Sequence, residues 1–207
     1  MTLTNILYFL GASVLLTLAP GPDNTFVIAQ GLSRGRRAAI ITALGMCSGV
    51  SVHTTAAALG LSAILYSSAY AFTVLKYAGA AYLLYLAYKA VRENGIRPTS
   101  TDATPTRPWL LFRRGFIMNV LNPKVGLFFL AFLPQFVTEN GFTMPLQMMV
   151  LGLIFMAQAV FIFSAIGFLS GSAGDMILKH PAIAKYFGWL SAAVFVSLGI
   201  RLALARQ

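Results

Sequence analysis

Cysteine occurs once in the 207 residues, as Cys47. That excludes an intrachain disulfide and any cysteine-based metal cluster. Its place inside an apolar run suits a small buried hydrophobe. Acidic residues number five against fifteen Lys and Arg, and charged residues make up only 10% of the chain, where a soluble domain carries about 25%. So few carboxylates and a single thiol leave the chain poorly equipped to hold either a hard or a soft metal cation. No G-x-x-x-x-G-K-[ST] phosphate loop is present, which leaves no visible ATPase. The N-terminal Met1–Asn5 stretch has no basic residue and Ala19-Pro20 is a poor processing site, so the first hydrophobic segment is expected to stay in the mature chain.

What the chain does have is apolar surface. Hydrophobic residues make up 58% of it and the mean hydropathy is +0.78. Its roughly 120 apolar residues match the needs of six bilayer spans of about 20 each. This excludes a soluble globular enzyme, a disordered chain and a nucleic-acid binder, despite a net charge of +10. The large partner expected is the lipid bilayer.

Six stretches read as transmembrane helices: Leu3–Leu32, Ala38–Leu65, Tyr70–Val91, Gly115–Val137, Met144–Ser170 and Ile183–Ala205. Backbone groups in lipid must be satisfied within the segment, and no ten-residue alternating pattern suggests a barrel. Alternate loops hold Arg34, Arg36 and Arg37, then Lys89, Arg92, Arg97, Arg107, Arg113 and Arg114, then Lys179 and Lys185. By the positive-inside rule these loops face the cytoplasm, while those near Ser67 and Glu139 face out. The N-terminus lies outside if segment one crosses fully and inside if that segment is re-entrant. Arg201 and Arg206 fall on the outer side, a mild violation of the rule.

The two halves repeat. Lys76-Tyr77-Ala78-Gly79 precedes Arg92 as Lys185-Tyr186-Phe187-Gly188 precedes Arg201; Leu44-Gly45 corresponds to Leu151-Gly152, and Pro22-Asp23 to Pro123-Lys124. An odd number of spans per half turns one half upside down relative to the other, an architecture of secondary transporters. The expected fold is therefore an all-α integral membrane protein of two inverted three-helix repeats. Residues 1–91 and 113–207 form the repeats, and a Pro- and Thr-rich cytoplasmic linker, 92–112, joins them.

Helices one and four should be broken, at Pro20-Gly21-Pro22 and at Asn122-Pro123. A proline lacks the N–H a helix interior needs and disfavours helical geometry in the residue before it. Pro22 and Pro123 then suit the first position of a new half-helix, with Asn122 as a cap. Counting from Arg34 and Arg114 places Asp23 and Lys124 about 15–17 Å below the cytoplasmic edge, half of a roughly 30 Å hydrocarbon core. Burying a lone charge there costs about 2.5–3.5 kcal/mol on insertion scales, so the two residues should pair or work. Half-helix N-termini also favour a carboxylate. The plain alternative is an Asp23–Lys124 ion pair that only locks the halves together.

Ala19-Pro20-Gly21-Pro22-Asp23, followed by Gly31-Leu32-Ser33-Arg34-Gly35-Arg36-Arg37-Ala38, resembles the opening signature of the LysE/RhtB superfamily of amino-acid exporters. Gly115-Phe116 through Asn119-Val120-Leu121-Asn122-Pro123-Lys124 to Phe132-Leu133-Pro134-Gln135-Phe136 resembles its second signature. The resemblance implies a multi-pass protein of the bacterial cytoplasmic membrane that exports amino acids such as homoserine, threonine, lysine, arginine, cysteine or leucine on the proton-motive force.

These readings combine into one expectation: export of an amino acid, a neutral one in view of the apolar segments, by proton antiport and with no cofactor. The substrate carboxylate would meet Lys124 and the N–H groups after Pro123, and its ammonium would meet Asp23. Asn24, Asn119 and Asn122 would complete the polar shell, with Gly21, Pro22 and Pro123 shaping the breaks. His53 and Gln158 are candidates for a proton relay or a cavity lining, though helix-packing hydrogen bonds would use them equally well. Gly45-x-x-x-Gly49 and Gly167-x-x-x-Gly171 fit close helix packing, within one chain or in a homodimer. Tyr77, Tyr82, Tyr85 and Tyr88 either line a cavity or belt the interface. The rivals are a cation or metal exporter of the same superfamily and a membrane module that transports nothing. An intramembrane hydrolase lacks its dyad, because Asp102 and Asp175 fall in loops and Ser51 and His53 lie on different helix faces.

Overall fold

A computed structural model describes residues 1–19, 21–61, 69–92, 107–138, 141–178 and 181–204. The readings made for Pro20, Ser67, Arg97, Asp102, Glu139, Lys179 and Arg206 lie outside them, as do those resting on the side chain of Lys185 and on Gly171. Asp175, expected in a loop, instead lies in the helix Met144–Leu178, since no proline interrupts the chain between Pro145 and Pro181. The described residues form eight α-helices and no strand: α1 Leu3–Leu18, α2 Pro22–Arg34, α3 Arg36–Ala56, α4 Ala69–Arg92, α5 Pro108–Val120, α6 Pro123–Ala131, α7 Met144–Leu178 and α8 Pro181–Leu204. A π-helical turn, Ala57–Leu61, ends α3, and a 3-10 turn, Leu133–Phe136, follows α6.

Local chemistry sets the boundaries. Thr2 caps α1 by accepting from Asn5 N at 3.2 Å. Ala19 leaves the helix for an extended ψ of 125°, the geometry a residue before proline prefers. Pro22 opens α2 at its first turn, bent 55° from α1. Gly35, at φ 81°, turns the chain from α2 into α3 in a conformation that side chains rarely adopt. The fourth apolar segment starts earlier than expected. Pro108 occupies the first helical turn of α5 and no further proline interrupts the chain until Pro123, so residues 108–112 are helical rather than linker-like.

The stretches Arg36–Gly60 and Met144–Ser170 are each long and apolar enough to cross a membrane, and the bent α1–α2 pair makes a third. Large apolar side chains such as Leu3, Tyr70, Phe161, Trp189 and Leu204 point outward, which suits a lipid solvent and would be a liability in water. Tyr77, Tyr85 and Tyr88 are likewise more than half exposed, so these three belt the surface.

Inside, α3 packs along both α5 and α7, α4 packs along α8, and α1 and α2 pack along α7. The α3–α5 contact is backbone against backbone. A methyl group at Gly45 would collide with the Phe112 backbone, and one at Gly115 with the Thr42 carbonyl. A methyl group at Gly167 would stand 3.0 Å from the Ala39 Cβ, a looser but still tight approach, so small residues do set how closely these helices pack. Next to these contacts, Phe9, Phe128, Phe129, Phe132, Phe136 and Phe155 form a ring cluster with centroids 5.0–6.2 Å apart. Arg201, expected on the outer side, lies 5.0 Å over the Phe136 ring, a cation–π contact.

Candidate functional site

The two breaks meet. Asp23 is the second residue of α2 and Lys124 the second of α6. Both are buried, with 4% and 6% of their surface exposed, and both line one cavity together with Asn119 from the end of α5. The polar residues singled out from the sequence thus converge, though not all on the cavity wall.

Asp23 and Lys124 line the same cavity but form no direct ion pair. The Lys124 ammonium donates to Ala19 O, at the end of α1, at 2.7 Å, and lies 5.6 Å over the Phe195 ring. It crosses from α6 to the other break, where Gly21 leaves it room: a Cβ there would stand 3.4 Å from Nζ. Asp23 Oδ2 accepts from Asn119 Nδ2 at 3.2 Å. Asp23 Oδ1 and Asn119 Oδ1 are buried acceptors without a hydrogen bond, and the donor Asn122 Nδ2 is likewise buried without one. An unpaired buried acceptor costs about 1–3 kcal/mol, so this pair calls for a donor with several N–H groups.

The two half-helix ends differ. Asn122 Oδ1 accepts from Lys124 N at 3.0 Å and so caps α6. No side chain caps α2. The amide expected to meet a carboxylate after Pro123 is therefore already satisfied, and the open helix end with its positive dipole belongs to α2. Asn24 does not reach the cavity; its Nδ2 donates to Thr17 O at 3.1 Å and closes the end of α1. Asn122 acts as the cap, and Pro22 and Pro123 as helix starters.

His53 lies one step away from the acid, its Nε2–H donating to Asn119 O at 2.9 Å while Asn119's side chain holds Asp23. Gln158 donates to Thr17 Oγ1 at 2.9 Å and is not a wall residue. The rest of the wall is Leu16, Thr17, Cys47, Val50, Val125, Phe155, Ala159 and Phe163, none of which was singled out as a site residue. Phe155, Ala159 and Phe163 recur every fourth position on α7, so their common face is readable; what that face meets is not. The cavity measures about 10 Å³, room for about one water and too small for an amino acid without movement of its walls.

A family model described as LysE type translocator matches residues 13–206. The chain is 29% identical to the uncharacterized membrane protein YrhP of Bacillus subtilis, over 97% of this chain and 99% of the relative. It is 29% identical to a homoserine/homoserine lactone efflux protein of Salmonella typhimurium, over 96% of each. It is also 30% identical to a leucine efflux protein of Klebsiella pneumoniae, over 96% and 94%. No solved structure matches.

Proposed function

Since the chain belongs to the LysE type translocator family, we propose that it is a secondary active transporter that exports neutral amino acids across the bacterial cytoplasmic membrane in exchange for protons. The observation that carries this reading is a buried acid, a buried base and two partnerless acceptors around one cavity at two helix breaks. The substrate ammonium, with three N–H donors, bonds Asp23 Oδ1 and Asn119 Oδ1. Its carboxylate meets Lys124, drawn off Ala19 O, and the uncapped start of α2. A resident ammonium in the wall disfavours a metal cation as cargo.

Protonation of Asp23 from outside cancels the charge that holds the substrate ammonium, and the substrate leaves outward. Loss of that proton to the cytoplasm resets the site. A proton moving down a 100 mV potential supplies about 2.3 kcal/mol per cycle. We assign the transfer to His53, which bonds the main-chain oxygen of Asn119 and not Asp23 itself, so the proton would cross between them on a water admitted when the cavity opens. The packing pattern supports an inverted repeat of six spans. Exchanging the halves maps α3 on α5 onto α7 on α1 and α2, and maps α4 on α8 and α3 on α7 onto themselves.

The test is export of radiolabelled amino acids from proteoliposomes under an imposed pH gradient. Wild type should transport, and should stop when the gradient is collapsed. Asp23→Asn and Lys124→Met, with membrane insertion confirmed, should both fail. Near-normal transport by both would refute the proposal. Cys47, the one native thiol and a wall residue, reports occupancy: a transported amino acid should slow its alkylation by a permeant maleimide.

A further inference from the structure

The geometry points to an aliphatic side chain on the substrate, with Ala159 setting its size. This rests on the proposed transport of neutral amino acids and asks which of them the wall accepts.

The polar groups that would hold the ammonium and carboxylate come from α2, α5 and α6. The α7 contribution is wholly apolar, namely Phe155, Ala159 and Phe163, and Leu16, Val50 and Val125 add to it. Ala159 sits between the two phenylalanines on the same helix face and has no exposed surface. Its methyl group is the smallest side chain on that face, so the cavity has most room to grow there.

The remaining hydroxyl on the wall is already engaged. Thr17 Oγ1 donates to Ser13 O at 2.8 Å and accepts from Gln158 Nε2 at 2.9 Å. The only other heteroatom outside the ammonium and carboxylate subsites is the Cys47 sulfur, a weak partner. A substrate hydroxyl pressed against this wall therefore gives up its water for at most the second lone pair of Thr17 Oγ1 and meets no side-chain hydroxyl or amide donor there, and a charged side chain does worse. A hydrocarbon side chain gains from every methylene it buries. Apolar pockets reject an added hydroxyl by up to about a hundredfold.

The experiment uses the full chain in proteoliposomes and an equimolar panel of alanine, valine, leucine, phenylalanine, homoserine, threonine and lysine. Wild type should move leucine and valine at least about tenfold faster than homoserine, threonine or lysine. Ala159→Leu should turn the preference from leucine to alanine, and Ala159→Gly should admit phenylalanine. If one variant fails to insert, the other and the wild-type panel still decide. Homoserine or threonine moving as fast as leucine, or an unchanged size preference in an inserted variant, overturns the wall assignment and leaves amino-acid export standing. Movement of none of the panel overturns both.

Discussion

Lys124→Met removes a cation that is 6% exposed and makes one hydrogen bond, 2.7 Å to Ala19 O. A hydrogen bond from a charged donor contributes about 1.5–3 kcal/mol, and the Phe195 ring at 5.6 Å adds about 0.5–2 kcal/mol. Against these losses, burying an ammonium is itself expensive, and methionine fills a similar volume without that cost. What decides the sign is the acid left behind. Asp23 would stay buried with one hydrogen bond, at 3.2 Å, and no counter-charge. Breaking a buried pair costs about 3–5 kcal/mol. Because Asp23 and Lys124 do not touch, the low end applies, about 3 kcal/mol or a roughly 6–12 °C fall in Tm for a chain of this length. Asp23→Asn combined with Lys124→Met removes both charges and should return to within about 1 kcal/mol of wild type, since replacing a whole buried pair is often neutral. Thermal unfolding in detergent measures stability, and export from proteoliposomes measures function. The double variant should regain stability and stay inactive. If it exports at the wild-type rate, the pair is only a charge lock and the reasoning fails; so too if Lys124→Met unfolds at the wild-type temperature.

Gly45→Ala should cost about 3 kcal/mol, the upper end for overpacking, because its methyl group meets the Phe112 backbone rather than a movable side chain. Gly60→Ala, with nothing within 4 Å of the new methyl, should be neutral or slightly stabilising in the same unfolding assay. Gln158→Leu removes the 2.9 Å bond to Thr17 and should cost about 0.5–1.5 kcal/mol, yet keep transport within about threefold of wild type. A complete loss of export would place Gln158 in the transport machinery.

Some of the site was legible before any fold was in hand because its causes are local. A proline ends or starts a helix wherever it stands, so the restarts at Pro22 and Pro123 follow from two residues each, and Asn122 caps the residue two places on. The glycine spacing on α3 marks a close approach for the same reason: only a residue without Cβ lets two backbones touch.

The partners of those residues were not legible. An acid and a base at equal depth suggest an ion pair, yet Lys124 turns to a carbonyl and Asp23 to an amide, because a break leaves backbone acceptors unpaired and a nearby asparagine can donate. Cys47 reads as filler until the wall around it is known.

By itself, then, the sequence determines the membrane setting, the helices, the two interruptions and the charges placed at them, since hydrophobic length, proline stereochemistry and buried charge act over a few residues. Tertiary structure decided which helix start stays uncapped, which acceptors lack a partner and which α7 face lines a cavity the size of one water. Those are outcomes of helices touching at glycines far apart in the chain, and no local rule specifies where side chains from different helices meet.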